Sequence, residues 1–105
     1  MLILEKPYRK SKITQLILHH IELFDSFDNV YLFGSLVKDA NEPEDVDLLL
    51  LYNEYSNKIL FKIDKICTVF MELYQLTFDI TVLSKNEEAE IDFISKLHLN
   101  HLKLK

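Results

Sequence analysis

Glycine is nearly missing from this sequence: Gly34 is the one glycine in 105 residues. A chain with so little backbone freedom is neither a flexible linker nor a loop-rich scaffold, and it should be built of long regular elements. Cysteine is as scarce, and Cys67 alone excludes an internal disulfide. Its neighbours Ile63, Ile66, Phe70 and Met71 predict a small buried core residue. There is no apolar run of the roughly 20 residues that cross a bilayer, and Met1-Leu2-Ile3-Leu4 is too short for a signal-peptide core. The expectation is a soluble cytoplasmic protein without membrane contact. Positive charge is also short, with 12 Lys+Arg against 17 Asp+Glu and a net charge of −5. Duplex-binding modules draw most of their affinity from neutralising phosphates, so nucleic acid is not the expected partner. The basic residues Lys6, Arg9, Lys10 and Lys12 read as a solvated approach to a helix.

Apolar residues are plentiful, at 49% of the chain. The length suits one domain spanning residues 1–105, able to bury roughly two-thirds of its unfolded surface. From Ser11 to about Phe24, apolar side chains at Ile13, Leu16, Ile17, Ile21 and Phe24 follow helical spacing. Val30-Tyr31-Leu32-Phe33 is a short apolar strand, and Gly34-Ser35 breaks it. Residues 36–40 are read as a short helix or turn and residues 41–44 as a polar loop. A second strand is expected from Asp45 to about Tyr52, then a long helix to about Gln75, whose apolar stripe is core. Thr77 to Leu83 reads as a third strand, and Ser84 as the cap of a final helix with Glu87, Glu88 and Glu90 in its first turns. Residues 98–105 fit either a helix extension or a short strand. The order α-β-(α)-β-α-β-α implies an α/β (α+β) fold: a three- to four-stranded mixed sheet flanked by helices. The second and third strands should run parallel through the helix between them, and the first and second can pair antiparallel.

Three carboxylates stand where apolar strands should be purely structural. Asp45 and Asp47, two residues apart at the head of Leu48-Leu49-Leu50-Leu51, project from one face of a strand. Asp79 interrupts Phe78-Asp79-Ile80. A carboxylate in such a place needs a partner or a cation, and Mg²⁺ prefers carboxylate and phosphate oxygens. Gly34-Ser35 after a strand lets a phosphate approach the backbone and offers a hydroxyl donor, and a helix start there would favour an anion. His19, His20, His98 and His101 read as structural or surface residues.

Leu32-Phe33-Gly34-Ser35 and, nine residues on, Asp45-Val46-Asp47-Leu48 resemble the hG[GS]x(9–13)Dh[DE]h signature of the DNA polymerase β-like nucleotidyltransferase superfamily. Phe78-Asp79-Ile80 resembles its later h[DE]h carboxylate, and the small size is similar to that of its minimal nucleotidyltransferases. The resemblance implies nucleotidyl transfer from ATP or another NTP, with two Mg²⁺ ions held by Asp45, Asp47 and Asp79. It implies that Gly34 and Ser35 grip the β- and γ-phosphates, with Lys38 offsetting their charge. Many relatives carry Arg-Gly shortly after Gly-Ser, where this chain has Lys38-Asp39. The resemblance also implies a protein partner, a helical HEPN-type toxin silenced by adenylylation, the chain being its antitoxin. The alternative reading is a non-catalytic module of the same fold that neutralises its partner by contact.

Overall fold

The computed structural model describes residues 10–33, 46–97 and 101–105. Helix α1 (Lys10–His19) leads into a 3₁₀ turn (Ile21–Phe24), strand β1 (Asn29–Phe33), strand β2 (Val46–Tyr52) and the long helix α2 (Lys58–Tyr74). Strand β3 (Phe78–Ser84), helices α3 (Lys85–Ile91) and α4 (Phe93–Leu97) and strand β4 (His101–Lys103) complete it. The expected short helix over 36–40 lies outside the described residues.

The strands form one mixed sheet in the order β3-β2-β1-β4. β1 pairs antiparallel with both β2 and β4, while β2 and β3 are parallel, joined through α2. Of the two conformations expected for residues 98–105, His101–Lys103 takes the strand, and the two residues after it are held by Leu104 N–H donating to the Val30 carbonyl at 2.7 Å and Lys105 Nζ donating to the Phe24 carbonyl at 2.8 Å, while residues 98–100 lie outside the described residues.

One face of the sheet carries the core. Val30, Leu32, Val46, Leu48 and Leu50 alternate inward against Ile13 and Ile17 of α1, Phe24 and Phe27 after it, and Ile59, Ile66 and Phe70 of α2. Phe70 anchors an aromatic group, with ring centroids 4.9 Å from Phe78, 5.7 Å from Tyr74 and 6.4 Å from Phe24. Such pairs contribute about 0.5–1.5 kcal/mol each beyond their buried area. Tyr74 also hydrogen-bonds the His20 ring at 2.7 Å, tying the two helices together.

The first helix was expected to run unbroken from Ser11 to Phe24. It stops at His19 and tightens into the 3₁₀ turn because His20 leaves helical geometry at φ −113°, ψ 32°. The final helix divides similarly at Asp92, whose φ of 56° is left-handed. Cys67 is half-buried rather than in the core: it lies about 100° round α2 from the fully buried Ile66.

Candidate functional site

The second face of the sheet holds the odd-numbered strand residues, including Asp47 and Asp79. In the parallel register of β2 and β3, these two are direct partners across the ladder. Laterally paired residues share a face and stand about 4.8 Å apart at their α-carbons. Asp47 is half-buried and Asp79 exposed. Asp47 also faces Phe33 on β1, and Phe33 faces His101 on β4. One lateral row thus reads Asp79, Asp47, Phe33, His101, at the end of the sheet where β1 finishes and β2 and β3 begin.

Below that row the second face turns apolar. Leu49 is fully buried and Leu51 nearly so, and in the row itself Phe93 of α4 packs edge-on against Phe33 at 5.7 Å. The helices after β3 therefore close the lower part of this face. The carboxylate end stays accessible at Asp79.

The residues expected to form the site divide into two sets. Asp47 and Asp79 are brought together. Gly34, Ser35, Lys38 and Asp45 lie outside the described residues, although Gly34 directly follows Phe33 and Asp45 directly precedes Val46 in the chain. Among the described residues no three His, Cys, Asp or Glu side chains cluster as a metal site; the pair Asp47 and Asp79 is what they contribute. Asp79 makes no ion pair among the described residues. Two adjacent carboxylates on one face are a hard-oxygen donor set that suits a divalent cation.

Sequence reasoning did not place His101 in this row. It stands two strands from Asp47, its ring 5.8 Å from that of Tyr31, and its Nδ1 is buried without a hydrogen-bond partner among the described residues. Nothing in the sequence pointed there, because residues 98–105 fitted two conformations equally well.

The nucleotidyltransferase domain family matches this chain over residues 20–103. The chain belongs to that family. Its fold is similar to a candidate nucleotidyltransferase from Sulfolobus solfataricus, at 17% identity and a TM-score of 0.55, covering 90% of this chain and 80% of that one. It is similar also to the toxin–antitoxin pair MntA–HpeT, solved as a mutant with two aspartate-to-glutamate replacements, at 12% identity and a TM-score of 0.54, covering 93% of this chain and 73% of that one. No curated protein matches the sequence. The mixed sheet with flanking helices is thus the nucleotidyltransferase fold, as the Gly-Ser and Asp-x-Asp spacing implied.

Proposed function

We propose that this protein transfers a nucleoside monophosphate, AMP in the first instance, from an NTP to a hydroxyl group of a partner protein, and that it is the antitoxin of a toxin–antitoxin pair. The observation that carries this reading is the register of Asp47 against Asp79 on one face, at the sheet end where β1 finishes at Phe33, the residue before Gly34 in the sequence.

In this reading Asp45, Asp47 and Asp79 would hold two Mg²⁺ ions. Bound there, Mg²⁺ would offset the charge of the triphosphate and of the leaving group. The chain's own residues supply position. Gly34 and Ser35 would offer backbone N–H groups and a hydroxyl to the β- and γ-phosphates, and Lys38 would offset their charge. Asp79, the more accessible carboxylate, receives the proton of the attacking hydroxyl. The oxygen of the acceptor hydroxyl bonds to the α-phosphorus as the bond to the α–β bridging oxygen breaks, and pyrophosphate departs with that electron pair.

The chain's net charge of −5 favours a basic partner, such as an RNA-cleaving HEPN-type toxin. The similarity to MntA–HpeT supports a partner of the toxin–antitoxin kind, and the mutated aspartates of that complex stand two positions apart, as Asp45 and Asp47 do here.

The test is incubation with Mg²⁺, ATP labelled at the α-phosphate and the product of the neighbouring reading frame. Label should pass to the partner, and Asp47→Asn should abolish transfer. Lys38-Asp39 in place of Arg-Gly favours the contact module as second reading. Partner inhibition that survives Asp47→Asn, with no label transferred, would establish the contact module instead.

A further inference from the structure

Asp79 lies on an edge strand. β3 is the first strand of the order β3-β2-β1-β4, and among the described residues it pairs with β2 alone. Val46 N–H donates to the Thr77 carbonyl. Because successive strand residues turn their backbone groups to opposite sides, Asp79, Thr81 and Leu83 address β2, while Phe78, Ile80 and Val82 direct their N–H and C=O groups away from the sheet. An edge of this kind is a template for another strand. Proteins that need to protect such an edge use proline, charged side chains, a bulge, extreme shortness or a covering segment. β3 runs seven residues, Phe-Asp-Ile-Thr-Val-Leu-Ser, with no proline, lysine or glycine, and Asp79 is its one charge. No residue of β3 is fully buried, although four of the seven are large and apolar.

Two further features meet at this edge. An open groove of about 380 Å³, lined by Cys67, Met71, Leu76 and Phe78 among others, reaches the start of β3 on the helix-bearing side. On the other side is the carboxylate row. A strand added antiparallel to β3 would meet Asp79 at a non-hydrogen-bonded position, because Phe78 and Ile80 carry the outward backbone groups. That is the position at which paired side chains approach most closely, about 4.5 Å between α-carbons.

Resting on the transfer reading above, we infer that the edge of β3, unpaired among the described residues, binds the acceptor polypeptide as a fifth, antiparallel strand, which sets a hydroxyl side chain opposite Asp79 and extends the row Asp79, Asp47, Phe33, His101 by one. The residues flanking that hydroxyl turn to the opposite face, where the groove takes an apolar side chain. Main-chain bonds to Phe78, Ile80 and Val82 supply the affinity and alternate side chains the selectivity. The acidic balance of the chain selects a segment carrying lysine or arginine. The acceptor class is thus an extended, basic segment with a hydroxyl residue between two apolar ones. The reaction is unchanged: the acceptor oxygen bonds to the α-phosphorus, pyrophosphate leaves with the electrons of the broken P–O bond, and the hydroxyl proton passes to Asp79.

The probe is a short basic peptide with one central tyrosine flanked by valines and then lysines. Its control carries the same side chains on an N-methylated backbone that cannot pair. Amide hydrogen exchange of the intact protein with Mg²⁺ and ATP should show Ile80 and Val82 slowed by the peptide and not by the control, with Thr81 and Leu83 protected throughout. Val82→Pro removes an outward N–H without taking one from the β2 ladder. It should cut label transfer to the peptide about tenfold, the worth of one lost backbone hydrogen bond, while the melting shift caused by Mg²⁺ and ATP is kept. Equal transfer to the N-methylated peptide, or transfer unchanged in a folded Val82→Pro protein, overturns strand docking and leaves nucleotidyl transfer standing. Protected edge amides without label transfer to the peptide or the partner support docking and remove the transfer reading. Protection produced by raising the protein concentration alone assigns the edge to a second copy of this chain and overturns the inference.

Discussion

Asp47 and Asp79 face each other in register, and like charges in directly opposed strand positions repel. Asp79→Asn should therefore stabilise the protein in the presence of a chelator by about 0.2–1 kcal/mol. That is a rise in Tm of about 1–8 °C for a chain of this size, read by thermal melting. With Mg²⁺ and ATP present the sign should reverse, because the substitution then removes a ligand oxygen. A second residue-scale prediction concerns Cys67. Partial burial, with the Asp64 charge adding to it, pushes the thiol above its ordinary value of 9.0. At pH 8 less thiolate is present than in a free cysteine, so modification by a disulfide reagent should be slower in the folded protein than in the unfolded one. The thiol's contribution to stability is fully present below pH 9.0 and is lost as pH rises through the raised folded value. The Asp47–Asp79 pair was legible in part, because each carboxylate interrupts an apolar strand. Its register was not, since nothing local in two strands separated by a helix sets how far one slides along the other. Cys67 was misjudged for a related reason: helical periodicity finds an apolar stripe but does not tell its centre, Ile66 and Phe70, from its margin.

At the scale of elements, the best-specified junction is the turn from β3 into α3. Ser84 Oγ accepts from Glu87 N–H at 3.0 Å, and Glu87 Oε1 accepts from Ser84 N–H at 2.8 Å, forming a reciprocal capping box. Ser84→Ala removes one half of it and should cost about 1 kcal/mol, measured as a lower midpoint in urea with an unchanged slope. The Ser-x-x-Glu pattern made this helix start readable in advance, and the stripe of α2 was equally plain. Two helix ends were not. At His20 the chain leaves the helix so that Ile21–Phe24 can turn Phe24 into the core, where tertiary packing overrides a continuous apolar period. At Asp92 a left-handed residue divides α3 from α4, and Phe93 then reaches Phe33. A three-residue strand such as β4 has too few residues to show alternation. It forms because β1 offers a free edge and because Lys105 and Asn29 close its far end, with Asn29 Nδ2 donating to the Lys105 carbonyl at 3.3 Å.

Over the whole molecule, the two faces of the sheet carry different burdens. The face under α1 and α2 holds nearly all the core, so it sets stability. The other face keeps its carboxylate end open, so a ligand bound there adds to stability without disturbing the core. Mass action gives the size of this effect: a ligand at 100 times its Kd, bound only to the folded state, stabilises by about 2.7 kcal/mol. For a chain of this length that corresponds to a rise in Tm of about 10 °C or more. Mg²⁺ with ATP should produce such a rise, whereas ATP with chelator should give little of it, because the triphosphate would then bring its negative charge against the carboxylates unscreened. Asp47→Asn should lose the Mg²⁺-dependent part, while its effect on the unliganded protein should stay within the roughly 1 kcal/mol of one cross-strand pair. Core substitutions such as Phe70→Ala should do the reverse, lowering the stability of the unliganded protein by the about 3–5 kcal/mol expected of a buried aromatic yet keeping the ligand-induced increment. A rise that is equal with and without Mg²⁺, or that persists in Asp47→Asn, would place nucleotide binding away from the carboxylate row, because the two burdens could not then be separated by face.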